Sequence, residues 1–264
     1  MDVQGKATRA TGFTLVEMVG VMAIMAILAS AIVPNMIRSV MRARADQETT
    51  TLSTLADDLQ RYILTNQSIP SPATNAWTTA LASVSDLPRD KVEYNDNGFR
   101  RALYFDPRFL TSSDTTFTGY VQQHGNITLV SPRVMLVSSL QANASAAPTT
   151  TSDFDAIWDQ TSSASVIESE SIKIERLNLG RFFHRLVLVN EGTSNNPAYT
   201  LGTAAASTVT TAASPLTLSV LENTQVELFD SAFAGGLSER VFIVKSDTNY
   251  RYFLNGSDWD WEQP

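Results

Sequence analysis

Cysteine is absent from the 264 residues of this sequence, and histidine occurs only twice. Without cysteine the chain has no disulfides, no thiol chemistry and no thiolate metal site. His124 and His184 lie far apart in the sequence, and no nucleophile motif accompanies either of them. We therefore expect no enzymatic activity, and a fold held together by its apolar core, by assembly or by a bound ion.

Positive charge is also scarce in this chain. It has 19 lysines and arginines against 27 aspartates and glutamates, which gives a formal net charge of −8. An acidic surface disfavours nucleic acid, because the phosphates of nucleic acid require basic patches. We expect no contact with nucleic acid, and the charge suits a soluble head outside the cell.

Long apolar runs are missing as well, with one exception that extends from Phe13 to Val33. Within it only Thr14, Glu17 and Ser30 are conventionally polar. An apolar helix of about 20 residues spans the hydrocarbon core of a bilayer. The run therefore predicts a single transmembrane segment, residues 13–33.

The start of this segment predicts an orientation and one unusual requirement. Lys6 and Arg9 precede the segment, and basic residues stay on the cytoplasmic side of a membrane. The rest of the chain is then expected outside the cytoplasm. Glu17 lies one turn inside the segment, where an unpaired carboxylate costs on the order of 3 kcal/mol. The side chain of Glu17 therefore needs a positively charged partner.

The hexapeptide Gly-Phe-Thr-Leu-Val-Glu that ends at Glu17, followed by the apolar helix and Pro34, resembles the N-terminal signature of type IV pilins and type II secretion pseudopilins. The resemblance covers the N-terminal quarter of the chain. It implies that prepilin peptidase cuts after Gly12, which removes residues 1–12 as a leader peptide. It also implies that the new N-terminus, Phe13, is methylated.

The resemblance further implies a structural subunit of a type IV pilus or type II secretion fibre. In such a fibre Glu17 would meet the amino group of Phe13 on the adjacent subunit and set the register between subunits. The apolar segment would anchor the monomer and then pack in the fibre core. The residues assigned to anchoring and packing are Leu15, Val16, Val19, Ile24, Ile27, Leu28 and Pro34.

The same resemblance implies partners and a location. The partners are prepilin peptidase, other pilin or pseudopilin subunits, and an inner-membrane assembly platform. The location is the bacterial inner membrane, crossed once with the head outside the cytoplasm, and then a periplasmic or cell-surface fibre. The disulfide that closes a C-terminal loop in many pilins is absent here, because the chain has no cysteine.

Three alternatives remain open from the sequence. Ala29-Ser30-Ala31 is a small-x-small site, so an ordinary secretory signal peptide would give a mature N-terminus at Ile32. A plain transmembrane anchor would leave Gly12 and Glu17 unexplained. The large head, rich in threonine and serine, is also compatible with an adhesin or another surface-recognition module carried on a pilin-type anchor.

Beyond the membrane segment, the helix is predicted to continue past Pro34 and to end near Asn66, so that residues 13–66 form one pilin-type helix. Its second half carries an apolar stripe at spacings of three and four residues, which predicts packing under a head. The stripe consists of Leu52, Leu55, Leu59, and Tyr62 or Ile63.

Residues 67–264 are predicted to form a globular, β-rich head, so the fold class is α+β with a mostly antiparallel sheet. The strand-like runs are 172–177, 182–189, 216–220, 226–229, 241–245 and 250–254, with apolar runs of ambiguous type at 127–130 and 133–137. Asn95 to Gly98 predicts a hairpin turn between 92–94 and 99–105. Residues 153–160 predict a short helix capped by Asp153, and residues 192–215 a mobile insertion with little to bury.

The C-terminal sequence Asp258-Trp-Asp-Trp-Glu262 has two interpretations. Some type II major pseudopilins have calcium in the head, so Asp258, Asp260 and Glu262 are weak candidates for calcium ligands by resemblance. Alternating acids and tryptophans are also typical of an edge strand, with the acids in water and Trp259 and Trp261 in the core. We favour the edge strand, and expect no cofactor.

Overall fold

The computed structural model describes residues 14–109, 119–120, 132–192, 196–202, 206–210, 215–230, 238–255 and 258–264. The predicted leader peptide, Phe13, His124 and the run at 127–130 lie outside these residues. Within them a long N-terminal helix precedes a head of short helices and mainly antiparallel sheets, which confirms the α+β class.

The elements follow one another in this order along the chain. The helices are α1 Leu15–Asn66, α2 Thr74–Ala82, α3 Arg89–Glu93 and α4 Thr151–Asp159, with a 3-10 turn at Leu179–Phe182. The strands are β1 Ile69–Pro70, β2 Ala102–Phe105, β3 Gly119–Tyr120, β4 Arg133–Ser139, β5 Ile172–Asn178, β6 Phe183–Asn190, β7 Ala198–Leu201, β8 Ser207–Thr208, β9 Leu216–Leu221, β10 Gln225–Phe229, β11 Arg240–Ile243, β12 Thr248–Asn255 and β13 Asp258–Glu262.

The chain divides into two compact units, residues 1–46 and residues 47–264. The first unit consists of the N-terminal part of α1, and Pro34 lies inside this helix without ending it. The helix ends at Asn66, as the sequence predicts, and Gln67 follows with a positive φ of 51°. A left-handed residue directly after the last helical position is a common way for a helix to terminate.

The second unit contains a core between the C-terminal part of α1 and the sheet β2-β4-β5. Leu52, Leu55, Leu59 and Ile63 are almost completely buried, which confirms the predicted stripe. Strand β4 is covered on both faces, because its alternate side chains face α1 on one side and α4 on the other. Burial on both faces explains why the run at 133–137 is apolar without alternation.

A second core lies between two four-stranded sheets in the C-terminal part of the head. Their strand orders are β13-β12-β6-β9 and β11-β10-β7-β8. Strand β12 pairs in parallel with β6, whereas the other pairings in these two sheets are antiparallel. The chain passes from one sheet to the other between Ile243 and Thr248.

The predicted hairpin around Asn95 is wrong for its first strand, at residues 92–94. Residues 89–93 form α3, and only one bridge, between Tyr94 and Arg100, joins the two sides of the turn. The turn itself is confirmed, since Gly98 has a φ of +78° and its N–H donates to the Asn95 carbonyl at 2.9 Å. The chain turns where expected, but a helix enters the turn instead of a strand.

Two further predictions need correction. Helix α4 begins at Thr151, and Thr150 is its N-cap, because the Thr150 hydroxyl accepts from the Asp153 N–H at 3.2 Å. Asp153 lies in the first helical turn instead of capping it. Within segment 192–215, strand β7 has Tyr199 and Leu201 buried in the second core, so the expectation of little to bury is wrong there. The mobility of this segment stays a prediction.

Candidate assembly site

The first turn of α1 is closed by reciprocal hydrogen bonds between Thr14 and Glu17. The Thr14 N–H and the Thr14 hydroxyl donate to one Glu17 carboxylate oxygen at 2.9 and 2.8 Å. The Glu17 N–H donates to the Thr14 hydroxyl oxygen at 3.3 Å. This Thr-x-x-Glu arrangement is a capping box, which satisfies amide groups that a helix start leaves without partners.

The sequence predicts that Glu17 needs a positively charged partner, and the capping box supplies part of what the carboxylate needs. The carboxylate already has hydrogen-bond donors in its own chain, although these are neutral and do not cancel its charge. Gly12 and Phe13, the predicted processing residues, lie outside the described residues. The pairing of Glu17 with an amino group on another subunit therefore stays a prediction, in which Glu17 would gain a positive partner in addition to the Thr14 contacts.

The apolar side chains of α1 on either side of Glu17 are exposed in the single chain. The helix is long and apolar enough to cross a membrane, with a mean hydropathy of 2.3 over its most apolar window. Its exposed side chains include six of the seven residues assigned to anchoring and packing: Leu15, Val16, Val19, Ile24, Ile27 and Leu28. Such a continuous apolar surface is unstable in water, so lipid or other protein must cover it.

Pro34 lies within this apolar helix. Proline lacks an N–H, so the carbonyl four residues earlier, at Ser30, loses the donor that a regular helix would supply. The Ser30 hydroxyl donates to the Ile27 carbonyl at 2.7 Å. Serine and threonine bonded in this way are tolerated in membrane helices and help them to adapt around a proline.

The head end of α1 is held by a buried ion pair. The Arg101 guanidinium contacts the Glu48 carboxylate in bidentate geometry, at 2.6 and 2.8 Å. The remaining donor, Nη1, binds the carbonyls of Lys91, Val92 and Tyr94 at 2.6, 3.2 and 2.7 Å. These carbonyls lie at the C-terminal end of α3, so a single arginine joins α1 to the segment that precedes β2.

The C-terminal acids Asp258, Asp260 and Glu262 lie on strand β13. Strand β13 is the edge of its sheet, Trp261 is fully buried, and Trp259 packs against the second core. This confirms the edge-strand interpretation. Glu262 pairs with Arg251 at 2.6 Å, and Asp260 lies 3.5 Å from Arg240. The described part of the chain contains no group of three His, Cys, Asp or Glu residues arranged to hold a metal ion.

Two features of this region were missed by sequence reasoning. The Thr-x-x-Glu spacing of the capping box is present in the sequence. Because it overlaps the cleavage motif, only Glu17 was assigned a role, and the bond to Thr14 was not predicted. The pairing of Glu48 with Arg101 left no local signal, because the two residues are separated by 53 positions. Buried charges at such a separation can be matched only in the folded chain.

Comparison with known proteins adds three findings. A model described as the prokaryotic N-terminal methylation motif matches residues 8–33. The type II secretion system core protein G of Escherichia coli K12 is 32% identical over 96 residues, which are 36% of this chain and 65% of that protein. The protein of the same name from Vibrio cholerae is 32% identical over 102 residues, 39% of this chain and 68% of the relative. No solved structure matches this chain significantly.

Proposed function

We propose, from the premise that this chain belongs to the family of type IV pilins and type II secretion pseudopilins, that it is a structural subunit of a type II secretion fibre. The observation that carries the proposal is the agreement of the methylation motif at residues 8–33 with a bare apolar helix that starts at a capping box on Glu17. The chain spans 65% of the Escherichia coli relative and 68% of the Vibrio cholerae one, so its assembly and partners are part of the proposal.

In this proposal the apolar segment has two successive environments. In the membrane its side chains contact lipid, and the capping box keeps the polar helix start hydrogen-bonded near the interface. In the fibre the same side chains pack against neighbouring helices, which requires no new apolar surface. Glu17 then meets the amino group of Phe13 on the next subunit, a charge-assisted contact that the monomer lacks.

The processing and partners follow from the same premise. Prepilin peptidase cuts between Gly12 and Phe13 and methylates the new amino group, and an inner-membrane assembly platform adds the subunit to the fibre. The head lies outside the cytoplasm, and the assembled fibre lies in the periplasm. The proposed role is structural, and none of its steps needs catalytic chemistry in this chain.

The decisive experiment separates the two roles of Glu17. Glu17→Val removes both the capping box and the proposed contact between subunits, whereas Thr14→Val removes only the Thr14 side-chain bonds. Cap bonds contribute about 1 kcal/mol. We therefore expect Glu17→Val to be processed and to remain in the membrane but to enter fibres poorly, and Thr14→Val to enter fibres at least several times better.

Incorporation is scored by releasing the periplasmic contents of the cells, sedimenting the fibres, and probing the fibre and membrane fractions. Wild-type levels of Glu17→Val in the fibre fraction would show that Glu17 does not set the register. Equal defects in both variants would assign the effect to the helix cap instead. A mature N-terminus at Ile32 would refute the family-type processing itself.

A second function, recognition by the head, is favoured by a specific observation. The core between the two four-stranded sheets is built from residues 186–261, in addition to the core that packs on α1. A fibre subunit needs a helix and a head that packs on it, and this second core is more than that role demands. Recognition is compatible with assembly, because the helix and the distal sheets use different residues.

A further inference from the structure

Two edge strands lie beside each other on one side of the C-terminal pair of sheets. They are β11 and β13, and Arg240 connects them by donating to the Trp261 carbonyl at 3.3 Å. Strand β13 carries Asp258, Asp260 and Glu262 along its length. Charged residues on an edge strand oppose pairing with other chains, so β13 is a protected edge.

Strand β11, in contrast to β13, exposes apolar side chains. Val241 and Ile243 are each 54% exposed, which is the highest exposure of any large apolar side chain among the described head residues. Ile167 and Leu254 follow at 52%. Val241 and Ile243 both lie on the outer face of the sheet, because Phe242 between them points into the second core. Two exposed β-branched side chains on an edge strand are a typical site of strand pairing.

The outer backbone side of β11 has no paired strand among the described residues. The Val244 N–H donates to the Thr224 carbonyl at 3.0 Å, and the Val244 carbonyl accepts from the Asn223 N–H at 2.8 Å, so Val244 directs both groups toward β10. Successive residues of a strand direct these groups to alternate sides. The N–H and C=O groups of Val241 and Ile243 therefore point away from β10, and no described strand pairs with β11 on that side.

The two ends of β11 carry opposite charge. At the N-terminal end, Glu239 lies near Asp260 and Asp230, and Arg240 opposes them only partly. Burial, a hydrogen bond with Asp260 and the neighbouring carboxylates raise the pKa of Glu239 to about 7. At the other end Lys245 is exposed. A ligand that places a cation beside Glu239 and an anion beside Lys245 would complement both ends.

We propose that β11 is a docking edge for an extended segment of a partner protein, which adds to the sheet as a further strand. The segment has β-branched side chains at alternate positions, a basic residue beside Glu239 and an acidic residue beside Lys245. Main-chain hydrogen bonds to Val241 and Ile243 give affinity, and the side-chain contacts and end charges give specificity. This binding goes beyond the subunit role and does not depend on fibre assembly.

The first test uses the full-length protein in detergent and a fluorescein-labelled peptide, Lys-Thr-Val-Thr-Val-Thr-Glu, in a fluorescence anisotropy titration. Two further peptides carry N-methyl groups, one on the valine amides and one on the internal threonine amides. Because alternate amides of a strand face one side, only one set can bond to β11. We expect one methylated peptide to bind at least about tenfold more weakly and the other within about threefold of the parent.

Equal binding by both methylated peptides, or no binding of the parent peptide, overturns the proposal. The wild-type protein is used throughout this comparison, so its outcome does not depend on the folding of a variant. Sedimentation at increasing protein concentration is run in parallel. Peptide-sensitive self-association would show that a second copy of the chain, and not an extended segment of a partner, occupies the edge.

The second test changes the edge itself. Ile243→Pro removes an N–H that points away from β10, and proline is tolerated on an edge strand in that position. We expect at least about tenfold weaker peptide binding, whereas the control Ile243→Thr keeps the N–H and should stay within about threefold. Melting temperatures confirm that both variants are folded. Equal loss in the two variants would show that the side chain alone is recognised, which refutes strand addition.

Discussion

Replacement of Arg101 by methionine tests how α1 is held to the head. Arg101 and Glu48 are 3% and 4% exposed, and the guanidinium makes two bonds to Glu48 and three to backbone carbonyls. Methionine preserves most of the apolar stem but leaves a buried carboxylate without its charge partner. Loss of one member of a buried ion pair costs about 3–5 kcal/mol.

The assay is urea unfolding of the full chain in detergent, followed by tryptophan fluorescence. We expect Arg101→Met to lower the free energy of unfolding by about 3–5 kcal/mol. For a head of this size, the same change lowers the melting temperature by about 10 °C. The variant Glu48→Gln should lose less, because the amide oxygen still accepts a hydrogen bond from Arg101.

The matched control is Arg251→Met, which breaks an ion pair of the same length on the surface. Arg251 and Glu262 approach to 2.6 Å, but their side chains are 41% and 49% exposed. Exposed pairs contribute about 0–1 kcal/mol. If Arg101→Met and Arg251→Met destabilise equally, the buried pair does not hold the helix, and the reasoning from burial is wrong.

Three further predictions concern processing, pH and packing. Mass spectrometry of the extracted protein should show cleavage after Gly12 and methylation of Phe13, whereas an unmethylated or uncut N-terminus would contradict the family assignment. Because the pKa of Glu239 is raised to about 7, its contribution to stability is present below pH 4.5 and is lost as the pH rises toward 7. Glu239→Gln should therefore melt above the wild type at pH 8 and at nearly the same temperature at pH 5; a gap that is independent of pH would assign the effect to another cause. Gly192→Ala would place a methyl group 2.9 Å from the Trp259 ring, so we expect a loss of about 1–3 kcal/mol and altered tryptophan fluorescence; unchanged melting would show that the ring moves freely.

The sequence predicts those parts of the molecule whose signal is local. The apolar run, the stripe from Leu52 to Ile63 and the alternation of Trp259 and Trp261 are periodic patterns, and burial follows directly from such periods. The turn at Gly98 is likewise local, because an Asn-Gly pair favours positive φ wherever it occurs.

The parts that sequence reasoning missed depend on contacts between distant residues. Residues 89–93 form a helix whose C-terminal carbonyls are bound by Arg101, so the preference of Val92 for a strand is overridden. Tyr199 is buried although threonine and alanine surround it in the sequence, because β10 pairs with β7. The capping box between Thr14 and Glu17 is a local pattern, but it was missed because both residues also belong to the cleavage motif.

The parallel pairing of β12 with β6 has a consequence for the order of folding. Strand β12 is internal to its sheet, yet 62 positions separate the paired residues Leu186 and Thr248. A ribosome delivers β6 and β9 long before β12, and this sheet cannot close until residues 248–262 have been synthesised. Pairings between distant residues form slowly. Completion of this sheet is therefore expected to be a late step in the folding of the head.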